Sequence, residues 1–309
     1  MPESTEYPDN KRLNVICRPA SIKDTPYVME LTSKIWDGED YVPVVWTEWL
    51  CDSTGELTVA ECDNRVIGLG KLTRLSSADW WLEGLRVHPD FEGIGIAAQI
   101  HDYLLDIWLN QGRGKIRLAT ASFRHPIHHL CRRTGFKKIG EFMIFQITIS
   151  EPDDINLKEQ TFQLIPSSEI NKSLDFALSS PMMPLSYGLM DLDWKWAPLR
   201  FSYFTDAVNR GMAFWWRNRN GVLVIRKSLE EKDESRLYLS LVVCQPDNIG
   251  PYFLDLLTYA QIKGYHKIDW ITPLQPDLLL QLEEIGFKRT WDDSLYLYER
   301  AHPSMGFTD

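Results

Sequence analysis

The chain has few cysteines, and their arrangement is not that of a disulfide framework or a zinc site. Five cysteines occur in 309 residues, with no C-x-x-C pair and an odd total. No stretch approaches eighteen consecutive apolar residues, and the N-terminus is polar and acidic instead of carrying the apolar segment of a signal peptide. From these absences we expect a cytoplasmic protein with no membrane span and no metal site.

Positive charge is also scarce. The chain has 33 Lys and Arg against 43 Asp and Glu, for a formal net charge of −10. This balance disfavours nucleic acid and anionic membranes as partners. Hydrophobic residues make up 44% of the chain and aromatic residues 12%, which is enough to form the cores of two domains.

A strand, a glycine loop and the start of an amphipathic helix follow one another over residues 82–100. Pro89 ends the strand, and Gly93 and Gly95 let the backbone turn without a Cβ penalty. The amides of the next helical turn can then converge on an anion, which the helix dipole also favours. The nucleotide-binding patterns G-x-x-x-x-G-K-[ST] and strand-linked G-x-G-x-x-G are absent. We therefore expect a pyrophosphate site; the alternative is an ordinary strand-to-helix turn.

This loop resembles the acetyl-CoA signature R/Q-x-x-G-x-G/A of the GNAT superfamily of N-acetyltransferases. The chain departs from the signature at Glu92, where the family has Arg or Gln, so we expect its carboxylate to turn to solvent and the backbone amides to bind phosphate. The elements predicted around the loop follow the family's order. They are a strand at 14–18, an aromatic-rich helical stretch at 26–50, a hairpin at 56–74, a strand at 115–120, a helix at 126–133 and a final hairpin.

The resemblance implies a mixed α/β sheet fold over residues 10 to about 150, with acetyl-CoA as the co-substrate and no metal. Because coenzyme A is an anion, its site must be locally basic in an acidic chain. The predicted coenzyme contacts lie at the strand end, in the loop, at the helix start and at one basic residue downstream. They are Leu85, Arg86, Val87, Glu92, Gly93, Ile94, Gly95, Ile96, Ala97, Ala98 and Arg124.

Glu83 is the candidate general base. Amines have pKa values of about 8 to 10, so a base must take a proton before or during attack on a thioester. Glu83 lies on the strand before the loop, where side-chain alternation places it on one face with Trp81 and Leu85. Gly84 permits the bulge that parts two strands in this family and admits the pantetheine arm. An ion pair with Arg86 or Lys71 is the alternative role for Glu83.

The proton donor to the leaving thiolate is predicted at Cys131. Many members of the family use a Tyr four residues before the Gly-Phe that follows the last helix, and Cys131 holds that position before Gly135. A thiol with a pKa near 8.5 can donate a proton. The alternative is a core cysteine on an apolar stripe with Ile127 and Leu130.

The acceptor amine is expected near a segment that places carboxylates among aromatic faces, an arrangement suited to a cation. The residues are Trp36, Asp40, Tyr41 and Trp46. A helix cap with a hydrophobic staple is the alternative, compatible reading. The segment I-[WY]-x-G-x-D-Y-[LV]-P, the Trp49-Leu50 pair and the strand L-E-G-L-R-V resemble the histidine N-acetyltransferase group. This resemblance implies a small-molecule amine, such as the α-amino group of histidine. An acetyl-CoA or amine sensor without turnover, and a peptide or protein N-acetyltransferase, stay open.

The second half repeats the first. The Lys-Ile strand at residue 115 and the Gly-Phe at residue 135 recur in the same order about 150 residues later. We expect an N-terminal catalytic domain over 1–152, a linker near 151–161, and a degenerate second copy over 153–309, whose loop at 245–251 has prolines in place of the amide cradle. Tyr187 and Asp193 are predicted to complete the amine site, and a monomer is compatible with a tandem repeat that mimics a dimer.

Overall fold

The computed structural model describes residues 14–149, 161–227 and 235–305. By its internal contacts the chain forms two compact units, Met1–Arg113 and Gly114–Asp309. This division does not coincide with the boundary expected between the repeats at residue 152. Residues 151–160, which are most of the proposed linker, lie outside the described part of the chain, so the repeat boundary stays a prediction.

The first unit is an antiparallel sheet in the order β1-β2-β3-β4 with helices on both faces. A tight turn at Trp36–Gly38, with positive φ at all three residues, splits the helical stretch predicted at 26–50 into two helices. The elements are β1 Val15–Pro19, α1 Thr25–Thr32, α2 Val42–Cys51, β2 Glu56–Cys62, β3 Arg65–Arg74, β4 Asp79–Val87 and α3 Ile96–Gln111.

Alternate residues of β3 face different helices. Leu69 packs with Val28 of α1 and Trp46 of α2 in one apolar cluster. On the other face, a Cβ built on Gly68 or Gly70 would lie 2.8 Å from Ile100 of α3, so only glycine lets that helix approach the strand closely. The α1–α2 face and the α3 face are therefore opposite sides of the first sheet.

The second unit contains a sheet in the order β5-β15-β6-β13-β12-β11-β10-β7, with β14 also paired to β6. One apolar cluster joins α8 and α9 to one face of this sheet, and another joins α5 and α7 to the opposite face. The elements are β5 Lys115–Ala121, α4 His125–Arg133, β6 Lys137–Thr148, β7 Phe162–Leu164, α5 Ile170–Leu178, α6 Met182–Leu185, β8 Leu189–Asp191, β9 Trp196–Pro198, α7 Phe201–Asn209, β10 Ala213–Trp216, β11 Gly221–Arg226, β12 Arg236–Cys244, α8 Ile249–Ile262, β13 Lys267–Pro273, α9 Pro276–Ile285, β14 Lys288–Arg289 and β15 Leu295–Ala301.

The two repeats exchange their last strands inside this unit. Strand β15, from the end of the second repeat, pairs antiparallel with β5 of the first. Strand β6, from the end of the first repeat, pairs antiparallel with β13 of the second. The final hairpin expected after Gly135-Phe136 is therefore wrong, because β6 is one continuous strand whose partners come from the other repeat.

Candidate active site

The glycine loop has the geometry of an anion cradle. Gly93 and Gly95 adopt φ of +78° and +90°, and α3 begins directly after Gly95. The amide of Gln99 donates to the Gly95 carbonyl at 3.1 Å, so the three amides before it head the first turn without an intrahelical acceptor. The first turn of α3 holds no acidic residue, and Glu92 is exposed. The loop can therefore present amides and a positive helix end to a phosphate.

His88 lies at the start of the glycine loop and caps its first turn, a role that the sequence did not predict. Its buried ring accepts a hydrogen bond at Nδ1 from the Asp90 amide at 3.2 Å, and its Nε2 lies 2.9 Å from Lys34 Nζ. Burial, and then the nearby Lys34 charge, lower the pKa of His88. The neutral form of the ring is therefore favoured, and its Nδ1 caps the turn that starts at Pro89.

Strand β4 bulges one residue after Glu83, and this confirms the predicted bulge. Lys71 pairs with Glu83 and Leu69 with Arg86, so Gly84 and Leu85 together face a single residue of β3. Gly84 has φ of +65°, and a Cβ on it would lie 2.5 Å from the ring of Trp49. Both the backbone conformation and the close ring require glycine at this position.

The bulge also changes which side chains share a face with Glu83. Thr73 lies directly opposite Trp81 and donates a hydrogen bond from Oγ1 to Glu83 Oε1, which places all three on the α1–α2 face. Leu85 instead lies 3.8 Å from a Cβ built on Gly70, on the α3 face. Grouping Leu85 with Glu83 was therefore wrong, because the extra residue reverses the alternation of side chains.

Two cations proposed as partners of Glu83 have carboxylate partners elsewhere. Lys71, which is almost fully buried, donates to Asp52 Oδ2 and to the Leu72 carbonyl. Arg86 donates to both oxygens of Asp40, from Nε at 2.8 Å and from Nη2 at 3.0 Å.

The aromatic and acidic segment predicted for the acceptor amine already holds a cation of the chain. The Arg86 guanidinium lies 4.3 Å from the ring centroid of Trp36 and 5.2 Å from that of Tyr41. Asp40 also accepts a hydrogen bond from the Val42 amide at 3.2 Å, which is the capping role kept as an alternative. Asp40 and Arg86 neutralise each other's charge. This pairing disfavours direct binding of a substrate cation by Asp40 and of a coenzyme phosphate by the Arg86 side chain.

Of the four predicted acceptor residues in this segment, Trp36 and Trp46 differ most in accessibility. Trp36 is 47% exposed, whereas Trp46 is 2% exposed and lies in the core under α1 and α2. The indole of Trp46 donates to Thr25 Oγ1 at 3.0 Å. A substrate contact for Trp46 is therefore disfavoured, because its ring and its one donor are used in packing α2 against α1.

Cys131 is a core residue of the second unit. Its side chain is fully buried, and burial raises the pKa of its thiol to about 12. Transfer of its proton to a thiolate of ordinary pKa, about 8.5, is uphill by several pH units. The structure thus favours the core alternative over a general acid. Arg124, predicted to contact coenzyme, is half-buried at the start of α4.

Tyr187 and Asp193 are also engaged within the second unit. The Tyr187 ring packs over Gly140 and its hydroxyl accepts a hydrogen bond from the Glu141 amide at 3.3 Å. Asp193 Oδ1 lies 2.5 Å from Nη1 of the largely buried Arg226. These contacts disfavour the predicted role of both residues in binding the amine, because both side chains serve packing and charge pairing inside the unit.

The second repeat does not have the glycine loop. Residues 245–251, all of which the structure describes, contain no residue with positive φ, and α8 follows a short 3-10 turn directly. Strand β12 pairs with β13 only as far as Leu239 and Trp270. Beyond that point Met182, Leu189 and Trp196 line a pocket with residues of both strands, and its cavity volume of about 20 Å³ is room for one water molecule.

Within the described residues, no group of three or more His, Cys, Asp or Glu side chains is arranged to hold a metal ion. No helix among those residues is long and apolar enough to cross a membrane.

Comparison with known proteins gives the family that this fold and loop resemble. Residues 24–136, less than half of the chain, match the acetyltransferase (GNAT) family. A tandem GNAT protein from the clavulanic acid biosynthesis pathway has the same fold, with a TM-score of 0.58 at 11% identity over 96% of this chain and 100% of that one. The match to the GNAT family thus covers residues 24–136, and the mixed α/β tandem fold expected from the sequence is confirmed.

Two curated proteins share part of the sequence. A histidine N-acetyltransferase of Oreochromis niloticus is 26% identical over 122 residues, which are 39% of this chain and 32% of that protein. A histidine N-acetyltransferase of Scomber australasicus is 32% identical over 79 residues, 25% of this chain and 23% of that protein. The matches therefore span about a third or less of the length of these relatives.

Proposed function

We propose that this chain is an N-acetyltransferase that transfers an acetyl group from acetyl-CoA to the primary amine of a small molecule. The observation that carries the proposal is the juxtaposition, in one unit, of the amide cradle at 93–98 with a bulged strand that presents Glu83. A match to the GNAT acetyltransferase family over residues 24–136 and partial matches to two histidine N-acetyltransferases support it. A free amino acid such as histidine is the acceptor class that we propose to test first.

The glycine loop would hold the pyrophosphate of the coenzyme. Gly93 and Gly95 turn the backbone so that the amides of Ile96, Ala97 and Ala98 face outward together. Acetyl-CoA would supply the activated thioester. Glu92 is exposed, and its carboxylate would point to solvent because it would repel a bound phosphate.

Glu83 would take the proton of the attacking amine. It lies half-buried beside the bulge, on the face covered by α1 and α2, and Thr73 fixes one of its oxygens. A base that removes the ammonium proton makes the amine lone pair available for attack on the thioester carbonyl. Because the pKa of the Cys131 thiol is raised to about 12, this thiol is a poor proton donor. We expect the coenzyme thiolate to leave without a proton from Cys131. Proximity and orientation supply much of the remaining rate.

The second repeat would not bind coenzyme. Pro246 and Pro251 lack amide donors, and the cavity lined by residues of β12 and β13 has a volume of only about 20 Å³. We propose that one coenzyme site exists per chain and that the second repeat stabilises the first through the exchanged strands.

The decisive experiment is an acetyl-CoA turnover screen over amino acids, polyamines and N-terminal peptides, read by thiol release. Glu83→Gln should keep coenzyme affinity and lower turnover by roughly 10² to 10⁴, the range of a lost general base. Glu284→Gln, an exposed carboxylate on α9, is the matched control and should be silent. Binding of acetyl-CoA without turnover on any amine would indicate a sensor, and turnover restricted to peptides would indicate a peptide acetyltransferase. Unchanged turnover in Glu83→Gln would overturn the assignment of the base.

A further inference from the structure

A hydroxyl on the strand next to Glu83 holds its carboxylate. Thr73 Oγ1 donates a hydrogen bond to Glu83 Oε1, from β3 to β4. The two residues are diagonal neighbours, since Thr73 pairs with Trp81 and Glu83 pairs with Lys71. A diagonal contact across an antiparallel pair is within reach of a side chain as long as glutamate. The contact is thus fixed by the register of two paired strands.

This hydrogen bond restricts the orientation of the Glu83 carboxylate. It removes rotamers of the Glu83 side chain, which has three rotatable bonds and is only half-buried. Thr73 therefore holds the carboxylate in one orientation, so that less conformational freedom is lost when an amine is positioned against it.

The two nearest cations each have a carboxylate partner of their own. Lys71, directly opposite Glu83, donates to Asp52 and to the Leu72 carbonyl. Arg86, two positions past the bulge, is held by Asp40 through two hydrogen bonds. Each cation is thus held by a carboxylate other than Glu83, whereas the hydroxyl of Thr73 is directed at Glu83 itself.

We propose that Thr73 is a positioning residue for Glu83; this inference rests on the proposed function. Thr73 acts through the carboxylate and does not itself contact the reacting atoms. The short β3–β4 connection sets the register that brings the two side chains together, on the turn side of the bulge.

The test compares Thr73→Val, which keeps the shape and removes the donor, with Thr73→Ser, which keeps the donor. The kcat of Thr73→Val should fall about tenfold with the KM for acetyl-CoA unchanged, as expected for the loss of one hydrogen bond to a charged group that acts in the chemical step. Thr73→Ser should restore the wild-type kcat. Thr58→Val is the matched control, because Thr58 is a buried threonine of the neighbouring strand β2 whose hydroxyl has no partner among the described residues.

Two further measurements separate this inference from the function on which it rests. NMR of the labelled Glu83 side chain needs no turnover, and its side-chain coupling constants should move toward rotamer averaging in Thr73→Val. In a Glu83→Gln background, Thr73→Val should have no further effect on kcat, because a positioning residue acts only through its partner. Loss of turnover in Glu83→Gln with unchanged kcat and unchanged coupling constants in Thr73→Val would overturn the role of Thr73 alone. Full activity in Glu83→Gln would overturn both.

Discussion

Replacement of Gly95 by valine should abolish acetyl-CoA binding without unfolding the chain. Gly95 has φ of +90°, a conformation that costs a β-branched residue about 1–3 kcal/mol. A Cβ at this position would meet no atom within 4 Å, so no collision adds to that cost. The loop is expected to relax toward negative φ and turn its amides away. Loss of two amide hydrogen bonds to a phosphate removes about 3–6 kcal/mol, which corresponds to at least a 100-fold rise in Kd.

Isothermal titration with acetyl-CoA measures this effect, and Gly264→Val is the matched control. Gly264 follows α8 with φ of +78° and likewise has no atom within 4 Å of a built Cβ. Both variants should lose a similar amount of unfolding free energy, and only Gly95→Val should lose coenzyme. Wild-type affinity in a folded Gly95→Val variant would refute the assignment of the phosphate loop.

Two further predictions concern the second unit. Leu297→Ala, at a fully buried position of β15, should lower the free energy of unfolding by about 2–5 kcal/mol. The control Leu280→Ala, at a position of α9 that is 58% exposed, should change it by less than about 0.5 kcal/mol. Equal urea midpoints for the two variants would contradict the packing of β15. Asp193→Asn should lower the unfolding free energy by about 1–3 kcal/mol, because it weakens a pair with the largely buried Arg226, and should leave the acceptor KM unchanged. A raised KM at wild-type stability would restore the acceptor role first assigned to Asp193.

Local patterns allowed much of the first unit to be predicted. The hairpin formed by β2 and β3, the bulge at Gly84 and the start of α3 after Gly95 each follow from residues close together in the chain. Contacts between distant residues were not predictable in this way. Periodicity shows that Trp46 and Cys131 face something apolar, but not that both are fully enclosed.

The partners of the charged groups illustrate the same limit. A carboxylate among aromatic rings indicates a cation, and the sequence offered no means to decide between a substrate and Arg86 as that cation. The contact of Thr73 with Glu83 joins diagonal positions of two paired strands, and the sequence alone does not give the register of that pairing.

The exchanged strands also govern when this protein can finish folding during synthesis. Lys115 of β5 forms its ion pair with Glu299 of β15, 184 positions later in the chain. At a synthesis rate of roughly 5–20 residues per second, Glu299 is added about 10–40 s after Lys115. Pairing of residues so far apart in sequence is slow even for a complete chain, because the entropy cost of closing the loop comes before the contacts can stabilise the pair. Until then the edge of β5 that β15 will cover is open to other strands, so the nascent chain is exposed to aggregation long after its first repeat has been translated.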